Sequence, residues 1–132
     1  MVLHFGYDTY DERSKIMIEY YSFDIEKFVA DHVTRKSALE VARMNLREDL
    51  DKKKHNSIEK KIKLLELNTE AFDIAFETLS ESEKDAITAF YLENNSSIIA
   101  LSKLYDVGMC QTTAYKNRNT ALSKMKKILT TM

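Results

Sequence analysis

Proline and tryptophan are absent from these 132 residues, glycine occurs only at positions 6 and 108, and cysteine only at position 110. Turn-rich β folds, phosphate-binding loops and barrel loops take their special backbone angles from glycine and proline. Their shortage leaves a mostly helical chain. A single cysteine cannot close an internal disulfide, which points to a reducing compartment. No apolar run approaches membrane-spanning length, and the opening MVLHFGYDTYDER lacks the basic start and apolar stretch of a secretory signal. The expectation is a soluble cytoplasmic chain with no membrane partner and one domain's worth of residues.

The residues that carry common chemistries are also missing or scattered. His4, His32 and His55 fall in different segments, and none has a cysteine or second histidine at metal-ligand spacing. Cys110 has no neighbouring histidine in sequence to activate a thiol. P-loop, GxGxxG and GxSxG patterns do not occur. The sequence therefore predicts no enzyme activity, no cofactor and no metal site.

What is present is an uneven charge. The formal total is −1, but residues 1–68 balance 13 acidic against 13 basic side chains, and residues 69–106 hold 8 acidic against 2 basic. Residues 107–132 carry Lys116, Arg118, Lys124, Lys126 and Lys127 with no acid. Such a tail attracts phosphate locally on a neutral molecule, although lysines also complement the C-terminal end of a helix dipole. The basic runs Lys52-Lys53-Lys54 and Lys60-Lys61 read as solvated helix and loop surface.

Hydrophobic spacing predicts an all-α fold. A first helix covers about residues 10–30, with Ile18, Tyr21, Ile25 and Phe28 on one face. Ser37 and Glu40 form a capping box that opens a second helix bearing Leu39, Ala42, Leu46 and Leu50. After the polar run 51–57, with Asn56 and Ser57 as candidate caps, a third helix places Ile58, Ile62, Leu65, Phe72, Phe76 and Leu79 at near-heptad spacing. Thr69 fills its polar slot. That helix runs unbroken from about 57 to 79 or breaks at Asn68-Thr69. Paired with the second helix it makes an antiparallel hairpin, and its heptads also permit a dimeric coiled coil. A second capping box, Ser80 to Glu83, opens a helix over about 81–92 with Ala86, Ile87 and Phe90 inward. The cluster 94–97 then reads as a turn and N-cap before a short helix carrying Ile98, Leu101, Leu104 and Tyr105. A last helix from about residue 111 to 130 buries Ala114, Ala121, Leu122, Met125 and Ile128 or Leu129.

A short helix, a tight turn containing Gly108 and a second helix with a polar, partly basic start is the layout of a helix-turn-helix. The first helix braces the second, whose opening turns reach base edges in the major groove. Those turns present Gln111, Thr112, Thr113, Tyr115, Lys116 and Asn119. The division that follows is 1–68 as an N-terminal helical region for core, oligomerisation or partner contact, and 69–132 as a DNA-binding module.

The stretch 79–125 resembles region 4 of the sigma-70 factors and its phage relatives. Leu79-Ser80, Ser96-Ser97, Gly108-Met109-Cys110, Thr113, Tyr115 and Ala121-Leu122-Ser123-Lys124-Met125 occupy the family's places, with Cys110 standing where a serine or threonine cap is usual. A small chain with a helical hairpin before such a module is similar to the ArpU/RinA-type phage transcriptional regulators. The resemblance implies sequence-specific binding of double-stranded DNA in transcriptional control, with a recognition helix over about 111–127. Gln111, Thr112, Thr113 and Lys116 would face bases or nearby phosphates. Tyr115, Arg118, Asn119 and Lys124 would contact the backbone, Arg118 lying near the buried flank. One such module binds weakly alone, so a homodimer or RNA polymerase as co-binder is expected. Two alternatives stay open: an interaction module whose acidic stretch 70–93 docks on RNA polymerase or a regulator, and the DNA-recognition subunit of a phage packaging complex.

Overall fold

The computed structural model describes residues 24–48 and 52–131, and among these it contains six helices and no strand. The class is all-α. The part of the expected first helix that precedes residue 24, with Ile18 and Tyr21, lies outside the described residues. So does Leu50.

Helix α1 (Ile25–Ala30) starts where the Asp24 carboxylate accepts a hydrogen bond from the Lys27 backbone N–H at 3.1 Å. It is separated from α2 (His32–Glu48) only by a turn at Asp31, across which Asp31 N–H donates to the Lys27 carbonyl and Arg35 N–H to the Asp31 carbonyl. Ser37 therefore sits inside a helix, and the capping box expected at Ser37–Glu40 does not start one. Packing explains the difference. Phe28, Val29, His32 and Arg35 are all buried just upstream, and burying several side chains outweighs the roughly 1 kcal/mol of a cap.

Helix α3 (Lys52–Glu77) has 26 residues, about 39 Å of rod at 1.5 Å per residue. It passes through Asn68 and Thr69 without a break. It also begins upstream of the candidate caps Asn56 and Ser57, which lie exposed in its second turn. The hairpin of α2 and α3 is held by Leu39, Ala42 and Ile62, flanked by half-buried Leu46, Ile58 and Leu65. Arg43 reaches across to Glu66 at 2.7 Å.

The second capping box forms as the spacing requires. Ser80 Oγ accepts from Glu83 N–H, Glu83 Oε1 accepts from Ser80 N–H at 2.8 Å, and α4 (Glu81–Ile87) follows. It runs on into a π-helical turn, Thr88–Leu92, closed by Glu93 N–H to the Thr88 carbonyl at 3.0 Å. Helix α4 lies between two cores. Ile87, Tyr91 and Leu92 join Phe28, Phe72, Leu79, Leu122, Met125 and Leu129, while Ala86, Ala89 and Phe90 join Ala100, Leu104, Met109 and Ala114. The chain then turns at Asn94, in the left-handed region at φ 54°, and Ser96 caps α5 (Ser97–Asp106) by accepting from Ile99 N–H. Helix α6 (Gln111–Thr131) completes the fold and buries Ala114, Ala121, Leu122, Met125 and Leu129. On α5 the inward face is Ala100, Leu104 and half-buried Leu101, whereas Ile98 and Tyr105 stand in solvent.

Candidate functional site

The α5–α6 corner is built by one glycine. At the end of α5, Met109 N–H donates to the Leu104 carbonyl at 2.9 Å and Gly108 N–H to the Tyr105 carbonyl at 3.0 Å. This is the paired bonding of a Schellman ending, which needs a left-handed residue between the two donors. Gly108 supplies it at φ +90°. The apolar contact that accompanies such endings is present too, since Leu104 and Met109 share the smaller core. Asn117 Nδ2 contacts Met109 Sδ at 3.4 Å and ties the turn to α6.

Cys110 holds the position before the first residue of α6. Its Sγ lies 3.3 Å from Thr113 Oγ1, and the side chain is exposed. The Thr113 hydroxyl, then the backbone N–H groups of Thr113 and Thr112, hold the thiol below its ordinary range. The thiol thus stands at the position before α6 where a capping hydroxyl is usual, in contact with the Thr113 hydroxyl.

With Ala114, Ala121 and Met125 fully buried on one side of α6, helical phase sets the opposite side. Thr112, Lys116, Asn119, Ser123 and Lys127 recur at intervals of four and three residues, and all are exposed. Gln111 and Thr113, also exposed, flank the start of this stripe. The structure therefore brings Gln111, Thr112, Thr113, Lys116 and Asn119 together on the open surface of the first three turns. Ser123 and Lys127 extend the stripe and were not singled out from sequence, although the same spacing contains them.

The other three expected residues are engaged by other side chains of the protein, Tyr115 and Arg118 half-buried and Lys124 exposed. Tyr115 is half-buried, its ring 5.6 Å from that of Phe90. The Arg118 guanidinium lies 4.9 Å from the Tyr115 ring centre and 5.2 Å from that of Phe90, and it donates twice to Asn119 Oδ1 at 3.1 and 3.0 Å. This stack orients the Asn119 amide at the edge of the exposed stripe. Lys124 Nζ is held by Glu83 at 2.8 Å.

No helix among the described residues is long and apolar enough to cross a membrane, and no group of three or more His, Cys, Asp or Glu among them could hold a metal ion. No known protein family, curated protein or solved structure matches the chain.

Proposed function

We propose that this chain is a sequence-specific DNA-binding regulator of transcription, phage or prophage encoded, in which α5 and α6 act as a helix-turn-helix. The observation that carries the reading is the exposed stripe of α6, polar and cationic over a fully buried opposite face, presented just after a fixed turn. A major groove about 12 Å wide admits one α-helix. Glutamine bonds adenine through two atoms, threonine touches the thymine methyl and lysine serves guanine or phosphate. Gln111, Thr112, Thr113, Lys116 and Asn119 supply those groups. No acid occurs from residue 107 to 132 to repel the duplex. The resemblance of residues 79–125 to sigma-70 region 4 supports the same assignment, and through it the regulation of transcription.

The test is fluorescence anisotropy on a randomised duplex pool at two salt concentrations, with sequencing of the retained fraction. Salt-dependent binding and an enriched motif are expected. Lys116→Ala should weaken binding to every sequence, and Gln111→Ala should relax the motif. Two variants that bind like the parent would remove the site assignment.

A second reading, a protein-docking module, is favoured by α5, which leaves Ile98 81% and Tyr105 73% exposed, with Val107 just past its end 65% exposed. Large apolar side chains gathered on one short element mark contact surfaces. Absence of duplex binding even at low salt would select it.

A further inference from the structure

Helix α3 is electrically divided along its length. Residues 52–63 hold six lysines against one acid, Glu59, and residues 64–77 hold four acids and no base. This order opposes the helix macrodipole, which favours acids in the first turn and bases in the last. The first turn of α3 has no acid and its last turn no base. Helix stability therefore does not account for the arrangement.

The two halves also differ in their partners. On the acidic half, Glu66 is paired with Arg43 at 2.7 Å, Glu77 with Lys84 at 3.3 Å, and Asp73 lies 3.9 Å from His32 Nε2. On the basic half, Lys54, Lys60, Lys61 and Lys63 are all exposed, and none forms an ion pair among the described residues. With Glu48, Asp49 and Asp51 of the hairpin end counted, residues 47–63 still hold seven bases against four acids, so the field there is positive. Self-association of two α3 helices would need the acidic half free to receive it, and Glu66 and Glu77 of its four acids are already paired within the chain.

We infer that the basic tip of the α2–α3 hairpin is a second phosphate-binding surface, placed to grip the backbone of double-stranded DNA beyond the segment read by α6. The inference rests on the proposed reading of α6 and extends it. Phe72, where α3 enters the core shared with α6, lies 9 to 18 residues beyond these lysines, about 14–27 Å along the helix.

The experiment compares the full chain, a Lys54→Gln/Lys60→Gln/Lys61→Gln/Lys63→Gln variant and Lys116→Ala by anisotropy over a salt series. Two duplexes are used, about 10 and about 30 base pairs, one and three helical turns. All four lysines are exposed, so the variant keeps its fold, and circular dichroism on the same samples verifies it. The expected result is at least a threefold loss of affinity for the long duplex, with the salt slope shallower by about 2 at roughly 0.9 per lost phosphate contact, since helical phase sets Lys54 and Lys61 on one side of α3 and Lys60 and Lys63 on the other. Affinity for the short duplex stays at the parental value, and Lys116→Ala weakens both. If the quadruple variant binds the long duplex like the parent while Lys116→Ala is weakened, the second surface is overturned and α6 stands. If the quadruple variant alone is weakened, the tip stands and the reading of α6 falls. No binding of either duplex by the parent overturns both, and tighter binding of single-stranded RNA than of the long duplex overturns the assignment to DNA.

Discussion

Lys124 of α6 holds both carboxylate oxygens of Glu83, Oε1 at 2.9 Å and Oε2 at 2.8 Å, while the same carboxylate closes the capping box of α4 through Ser80 N–H. One buried acid thereby fixes the start of α4 to the middle of α6. Burial pushes the Glu83 carboxyl up, but the Lys124 hydrogen bond, the two bonds to Ser80 and the Lys124 charge outweigh it and hold the group below its ordinary 4.5. A carboxyl depressed in the folded state contributes stability that is complete above its unfolded value and fades as pH falls below it. Glu83→Gln keeps the capping geometry but loses the charge, and should cost about 1 kcal/mol near neutral pH. Glu83→Ala should cost about 2 kcal/mol. Urea titrations at pH 7 and below pH 4 should show the Glu83→Gln deficit shrinking in acid. An unchanged deficit would mean that the pair contributes nothing through its charge.

Gly108 isolates backbone conformation from packing. A Cβ placed there meets no atom within 4 Å, so an alanine would fit the space. The φ of +90° is what it cannot take without strain. Gly108→Ala should therefore destabilise by about 1–2 kcal/mol, and Gly108→Asn by less, since asparagine tolerates left-handed backbone. Equilibrium urea unfolding of the two variants measures both. Equal stability of Gly108→Ala and the parent would show that the turn can be made another way.

His32 supplies a separate dependence on pH. Its ring stacks on Phe72 at 3.6 Å between centres, and the side chain is buried. Burial, followed by the charges of Arg35 and Lys36, lowers it from 6.5 to about 4. Between those values the unfolded chain binds the proton and the folded chain does not, so stability rises with pH. The loss on acidification from pH 6.5 to about 4 should reach about 3 kcal/mol. His32→Phe should flatten stability across this window while leaving the Glu83 effect at lower pH. The same slope in the variant would assign the titration elsewhere.

How much of this was legible in the sequence depended on how local the cause was. The Ser80–Glu83 box, the Asn94–Ser97 turn, the break at Gly108 and the inward face of α6 are set by residues within a few positions of one another, and each was readable. Ser37–Glu40 has the same local signature as Ser80–Glu83, yet it lies inside α2 because Phe28, Val29, His32 and Arg35 anchor the chain upstream against other helices. Pairings between distant segments were not readable either. Nothing local couples Lys124 to Glu83, 41 positions away, or lays Arg118 across Phe90. Helical phase alone placed Lys116 and Asn119 outward. It could not reveal that Arg118 holds the Asn119 amide.

Cys110 offers a chemical measure of the corner itself. As the residue before α6, its sulfur faces the Thr113 hydroxyl and the first backbone N–H groups of the helix. These donors stabilise the thiolate more than the thiol, so the group ionises at lower pH than an ordinary cysteine. The rate of reaction with a disulfide reagent, followed against pH, should therefore reach half its maximum at lower pH in the folded chain than in the chain unfolded by urea. Thr113→Ala removes the largest of the named donors and should move the folded midpoint part of the way back up. The backbone N–H groups of Thr112 and Thr113 remain and should keep it short of the unfolded value. Coincident curves for the folded and unfolded parent would mean that the start of α6 does not hold the sulfur as described.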